Sequence, residues 1–353
     1  MKLKDLGLSD WFIKEAEKSQ YKEYSLARVT AVHKNQFEIK NEKTTAVAEI
    51  TGKLIYEAAS KTDFPTVGDW VEVQYFNEKT LAIIHSILPR KSLLKRKMAG
   101  NTVEFQLIAA NIDTAFIIQA SDYDFNIPRL ERYLTMINEA GIKPVILLSK
   151  IDLISAKDLN QIMSDIINIS SINEIIAFSN KTAQGLNEIK NIIMPGKTYC
   201  LLGSSGVGKT TLLNSLIGED LYITDTVRKD GKGKHTTSSR QLIILKDGGL
   251  IIDTPGMREL GNIGASTGIN ETFNDIYNLA KDCKYKNCTH TVEPECKILE
   301  SIKKGSLNEK HYQNFLKLQK ESKYHEMTYQ EKRKKDQSFG KFIKQAMKNN
   351  KKV

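Results

Sequence analysis

The chain is 353 residues long, with 40% hydrophobic and 27% charged residues. That is the balance of a folded globular protein with room for two or three domains, not of a disordered chain. It has no apolar run of membrane-spanning length and no signal-peptide pattern. Its four cysteines, three of them within fourteen residues, do not make a disulfide framework, so a cytoplasmic protein without membrane contact is expected.

Residues 1–24 contain "LSDWFIKEAEKS", a short amphipathic helix. From Ser25 the texture becomes β. "SLARVTAVHK", "QFEIKN", "TTAVAEITGKL", "DWVEVQYF" and "TLAIIHSIL" alternate or are rich in β-branched residues. Five short strands in so few residues predict a small Greek-key barrel of the OB type over 25–95. "RKSLLKRK", Arg90 to Lys97, follows with five basic residues in eight and suits nucleic-acid contact.

Strands and helices then alternate over 96–262. "DTAFIIQA", "KPVILLSK" and "INEIIAFS" read as strands, and "IPRLERYLTMINEAG", a segment reaching about Ile169 and "GLNEIKNII" read as helices. "RQLIILKDGGLIIDTPG" reads as a hairpin ending at Asp253. This alternation predicts a mainly parallel sheet covered on both faces. Over 263–325 the sheet pattern stops. "INETFNDIYNLAKDC" reads as one amphipathic helix, a cysteine-rich knot follows, and further helices lead to a basic tail, 326–353. Within it, residues 331–353 hold nine Lys and Arg against two acids, which supplies +7 of the net charge of +10. The tail suits contact with RNA and equally reads as a solvated extension. His33, His85, His311 and His325 read as surface residues, and Cys200 as a small core residue.

The chemistry centres on "LLGSSGVGKTTLLNSLIG". Gly203, Ser204, Ser205, Gly206, Val207, Gly208, Lys209 and Thr210 have the phosphate-cradling spacing GxxxxGK[ST] between a strand and a helix that takes in Thr211. Glycines let backbone N–H groups curl around phosphate oxygens at a helix N-terminus. Lys209 can reach the β- and γ-phosphates, and the Thr210 hydroxyl can hold Mg²⁺. Asp253 opens "DTPG", where the carboxylate can hold Mg²⁺ through water and the Gly256 N–H can sense the γ-phosphate. The intervening "RKDGKGKHTTSSR" holds Thr236 and Thr237, either of which can close over Mg²⁺. "SKID" (Ser149, Lys150, Ile151, Asp152) and "SNK" (Ser179, Asn180, Lys181) each end a predicted strand. Asp152 can accept from the guanine ring N–H and amino group, and the second segment can support the base.

The base-reading segments precede the phosphate motifs, the reverse of the common GTPase order. Together with "VGDWV", "AANID", "GKGKHTT", "DTPGMRE" and "CKYKNCTHTVEPEC", this order resembles the circularly permuted GTPases, and within them the bacterial ribosome small-subunit-dependent GTPase A family. The resemblance implies a barrel, a permuted α/β GTPase domain and a small helical zinc-binding domain. It implies GTP and GDP as ligands and a monomeric factor that meets the small ribosomal subunit and its rRNA during late maturation. In this chain Ser149 stands where the family has Asn or Thr, and Asn180 where Ala is more usual. Met257 occupies the position where many GTPases carry a water-orienting Gln, so slow intrinsic hydrolysis is expected, with the subunit raising the rate. The resemblance suggests His235 as the water-orienting group beside Lys209 and Thr237; contact with RNA is the other reading of His235. A second reading of the whole chain is an RNA-binding scaffold that holds nucleotide with little turnover.

Cys283, Cys288, His290 and Cys296 have the spacing C-x₄-C-x-H-x₅-C. Three thiolates and an imidazole match a closed, tetrahedral structural zinc site with no open catalytic position.

Overall fold

A computed structural model describes residues 1–33, 36–97, 105–169, 172, 174–218, 240–253 and 266–326. The N-terminal helix α1 (Asp10–Lys18) buries Phe12 with Leu6, Leu8, Trp70 and Leu88. Strands β1 (Ser25–Val32), β2 (Phe37–Lys40) and β3 (Thr45–Ile50) lead through helix α2 (Gly52–Glu57) to β4 (Trp70–Phe76) and β5 (Leu81–Ile87). β1 pairs with both β2 and β4, and β3 pairs in parallel with β5, which closes the barrel. This is the five-stranded OB arrangement expected from the alternation. Along β3, Ala46 and Ala48 face inward while Val47 faces out, so a period of two sorts the chain between core and solvent.

The hairpin of β6 (Leu93–Lys97) and β7 (Phe105–Ala110) leads into the second sheet. Its elements are β8 (Thr114–Ala120), α3 (Ile127–Glu139), β9 (Lys143–Ser149), α4 (Ala156–Ile169), β10 (Ile175–Ala177), α5 (Leu186–Ile192), β11 (Thr198–Leu202), α6 (Lys209–Ile217), β12 (Gln241–Ile244) and β13 (Leu250–Asp253). The strand order is β10-β9-β8-β11-β13-β12, with only β12 antiparallel. Ala115 and Ile117 of β8 pack on the face that holds Leu130, Tyr133 and Ile166 of α3 and α4. Phe116 and Ile118 pack on the face that holds Ile189, Leu212 and Leu213 of α5 and α6. Burial on both faces explains the near-continuous apolar runs. β12 also pairs with β1, at Gln241 and Ala31, so barrel and sheet are continuous.

The C-terminal helices are α7 (Ser266–Thr272), α8 (Asn274–Lys281), α9 (Lys297–Lys303) and α10 (Glu309–Glu326). Here the structure corrects the expectation of one long helix. Phe273, at φ −112° and ψ 36°, separates α7 from α8 and is fully buried. Gly268 lets α7 cross α3 closely, because a Cβ there would lie 2.1 Å from the Thr135 carbonyl oxygen.

Three charged side chains expected at the surface, or not singled out, are buried or partly buried. Arg90, counted in the basic cluster, pairs with both carboxylate oxygens of Asp69 (2.8 and 2.7 Å) and donates to the carbonyls of Thr62 and Phe64. It braces the barrel and is withdrawn from any surface patch. His311 is 2% exposed and bridges Glu131 and Asp275 at 2.5 and 3.2 Å. Arg28 is 1% exposed and donates to Leu6, Gly68 and Asn111 carbonyls and to Thr198 Oγ1. Of the other histidines, His33 is exposed and His85 is half-buried against the rings of Tyr21 and Tyr24. The His325 side chain lies outside the described residues. Cys200 is fully buried, as expected of a core residue, and burial pushes its thiol pKa up. Among the described residues no helix is long and apolar enough to cross a membrane.

Candidate nucleotide site and metal centre

The sheet changes direction of winding between β8 and β11, and the crevice beyond the carboxyl ends of those strands is where such sheets receive ligands. The phosphate-loop sequence fills it, between β11 and α6. Gly203 passes so close to β8 that a Cβ would lie 2.4 Å from the Ile118 carbonyl oxygen. Gly206 and Gly208 hold φ of +79° and +91°, which other residues rarely adopt. Val207 is buried beneath the loop, while Ser205, Gly206 and Thr210 face outward. Lys209 opens α6 and its Nζ folds back to the carbonyls of Gly203 and Ser204 at 2.8 and 2.6 Å. Thr210 and Thr211 lie in the same first turn, at the positive end of the helix. Asp253 ends β13, the parallel neighbour of β11.

Both expected base-reading segments meet this loop. Ser149 is fully buried at the end of β9 and donates to the Val207 carbonyl at 2.8 Å. Lys150 adopts a left-handed backbone, φ +60°, which turns the chain so that Asp152 faces outward. Ile151 is buried behind the turn, its N–H donating to the Phe178 carbonyl. Ser179 Oγ donates to Asp152 Oδ1 at 2.6 Å and accepts from the N–H groups of Lys181 and Thr182. That fixes the carboxylate against the second loop. Asn180 Nδ2 donates to the Gly208 carbonyl at 3.1 Å.

The sequence reading missed the loop after β8. Asp122 accepts from Lys150 Nζ at 3.0 Å, and Asp124 accepts from Ser204 Oγ at 3.0 Å while pairing with Arg129 of α3. Burial would raise the Asp122 pKa, but the Asp124 N–H and the Lys150 ammonium outweigh it and hold the carboxyl below its ordinary range. Two acids beside a phosphate loop carry no motif, and the Asp122 partner lies 28 residues away in the chain. His235, Thr236, Thr237, Gly256 and Met257, together with the basic tail, lie outside the described residues.

Cys283, Cys288, His290 and Cys296 converge, with their ligand atoms all within 4.8 Å of one another. Sγ of Cys283 and of Cys296 each lie 3.5 Å from His290 Nδ1, and 3.9 Å from each other. A tetrahedral zinc with bonds of about 2.0–2.3 Å places its ligands roughly 3.5–3.8 Å apart. The donor set and spacing therefore fit a metal ion such as zinc. Tyr312 of α10 donates to the His290 carbonyl at 2.7 Å and ties the knot to the helical core.

Strand order and phosphate loop, with motifs displaced relative to the common GTPase order, define a circularly permuted P-loop GTPase attached to an OB barrel. The chain belongs to the RsgA GTPase family, whose model matches residues 87–263. It is 42% identical to "Small ribosomal subunit biogenesis GTPase RsgA 2" of Lactiplantibacillus plantarum, over 85% of this chain and 84% of that one. It is 36% identical to RsgA 1 of Bacteroides thetaiotaomicron, a protein with the same biogenesis name, over 97% and 96%. The crystal structure of YjeQ from Thermotoga maritima superposes with a TM-score of 0.63 at 25% identity, covering 84% of this chain and 98% of that one.

Proposed function

We propose that this GTPase is a maturation factor of the small ribosomal subunit, binding GTP in the crevice between β8 and β11 and releasing the subunit after hydrolysis. One observation carries the site assignment. Ser179 donates to Asp152 at 2.6 Å while Ser149 and Asn180 donate to carbonyls of the phosphate-loop sequence, so hydrogen bonds join these three segments. In this reading Asp152 selects guanine, with Lys150 and Ile151 shaping that loop and Lys181 lying beside the base. The backbone from Gly203 to Lys209 and the side chains of Lys209 and Thr211 receive the phosphates. Thr210 and Asp253, with Thr236 or Thr237, supply the oxygen donors that suit Mg²⁺, which when bound neutralises charge on the β- and γ-phosphates. Gly256 senses the γ-phosphate and His235 orients water, with Met257 accounting for slow turnover without the subunit. The cysteine–histidine knot holds structural zinc.

The domains follow the sequence division: extension 1–24, barrel 25–95, GTPase 96–262, zinc-binding helices 263–325 and tail 326–353. The lysines of the 90–97 segment and of the tail supply charge toward rRNA. The names of the relatives support the subunit as partner. A cytoplasmic monomer accords with this role. The deciding experiment measures turnover of GTP, ATP and XTP with purified small or large subunits. GTP turnover raised by small subunits alone is expected. Turnover that ignores the small subunit would favour the scaffold reading.

A further inference from the structure

Two departures from the family pattern meet at one place in the structure. Ser149 stands where the family has Asn or Thr, and its hydroxyl donates to the Val207 carbonyl, 2.8 Å away. The next carbonyl along, that of Gly208, is held by the amide of Asn180, from the other base-reading loop, at 3.1 Å. The approach is close enough that a Cβ on Gly208 would lie 2.6 Å from Asn180 Nδ2. The same carbonyl accepts the Leu212 N–H at 2.9 Å, the first hydrogen bond of α6, so Asn180 occupies its remaining lone pair. The bond also has a cost. Asn180 Oδ1 is buried with no hydrogen-bond partner among the described residues, a loss that packing alone does not motivate.

We propose that Asn180 is a positioning residue that supplies, from the second base-reading loop, an amide clamp on the Gly208 carbonyl, beside the Val207 carbonyl to which the Ser149 hydroxyl is committed. The inference rests on the GTP site proposed above. Peptide planarity gives the mechanism. Fixing the Gly208 carbonyl toward Asn180 and Leu212 points the Lys209 N–H the opposite way, out of the helix N-terminus where a phosphate is received. The loop that supports the base thereby sets the orientation of a phosphate-binding amide.

The test is a double-mutant cycle on the full-length protein, read by the dissociation rate of a fluorescent GDP analogue. Asn180→Ala should speed dissociation by roughly five- to tenfold, the worth of one hydrogen bond, with the effect falling on KM for GTP rather than on kcat. Asn180→Asp keeps the shape without the donor and should move the rate in the same direction, so it replaces the alanine variant if that one folds poorly. Ser149→Asn combined with Asn180→Ala should recover most of the loss, because the amide returns from the first loop; a structural defect at 180 would show no such rescue. An unchanged dissociation rate in both single variants, or an equal loss with Ser or Asn at 149, would overturn the proposal. A wild-type protein that bound the ADP analogue as tightly as the GDP analogue would instead remove the base-site reading beneath it.

Discussion

His311 shows what a single residue can hide in a charged helix. Its segment, "EKHYQNFLKLQKES", reads as polar, yet His311, Phe315, Leu318 and Ser322 recur at helical spacing and all are buried. That stripe was the available signal. Burial by itself would lower the pKa of His311, but hydrogen bonds and charge from Asp275 on α8 and Glu131 on α3 outweigh it and raise the value to about 9. A folded-state pKa above the ordinary 6.5 means the stabilisation is full below about pH 6.5 and is lost as pH rises through about 9. The melting temperature of the wild type should therefore exceed that of His311→Gln at pH 6.5 to 7, and the gap should narrow by pH 9.5; a constant gap would mean the imidazole is neutral throughout. Asp152 gives the complementary case, a residue whose neighbours could be read from the sequence. Asp152→Asn should shift preference from GTP toward XTP, since an amide donates to the xanthine oxygen where a carboxylate cannot. Turnover of both nucleotides in the variant measures this, and retained GTP preference would place the base elsewhere.

At the scale of elements, strands were legible and helix breaks were not. β3 alternates because one face meets the barrel core, and β8 is apolar from Ala115 to Ile118 because both faces are covered; each pattern follows from burial geometry. The break at Phe273 has no Gly or Pro to announce it. It arises because the α7 side must cross α3 at Gly268 while Phe273 packs against His311 and Phe315, and such tertiary demands leave no local trace. The metal knot was legible through ligand identity alone. Cys296 and the partly buried Cys283 and Cys288 pack against the core of the C-terminal helices, so that small core depends on them. Structural zinc contributes on the order of 10 kcal/mol of apparent folding free energy in small domains. Cys288→Ser, or removal of metal by a chelator, should melt this helical unit at a temperature where the nucleotide-binding sheet persists. Metal analysis should find one zinc per chain, and a sample without metal that melts like wild type would refute a structural role.

At the scale of the whole molecule, one buried arginine, which nothing in the sequence singled out, spans the barrel and the sheet. Its guanidinium lies 5.7 Å from the centre of the Trp70 ring. Arg28 sits on β1 of the barrel. It donates to Leu6 in the N-terminal segment, to Gly68 before β4, to Asn111 between β7 and β8, and to Thr198 at the start of β11. Burial lowers its pKa to about 10, against the opposing charges of Asp113 and Asp69, so it stays charged at neutral pH. No other contact among those described links so many separate stretches through one side chain. Arg28→Met keeps the length and the apolar stem but removes the guanidinium from four acceptors, of which the Gly68 carbonyl keeps the Asn111 amide. A buried acceptor left unsatisfied costs about 1–3 kcal/mol. Much of that loss should fall on the junction rather than on either core, because the barrel and sheet keep separate apolar clusters. The wild type should then unfold with barrel and sheet together. Arg28→Met should show the barrel melting first, seen as early amide exchange in β1 to β5 while β8, β9 and β11 stay protected. If exchange in the variant rises equally in both units, Arg28 stabilises the fold without being what joins its parts.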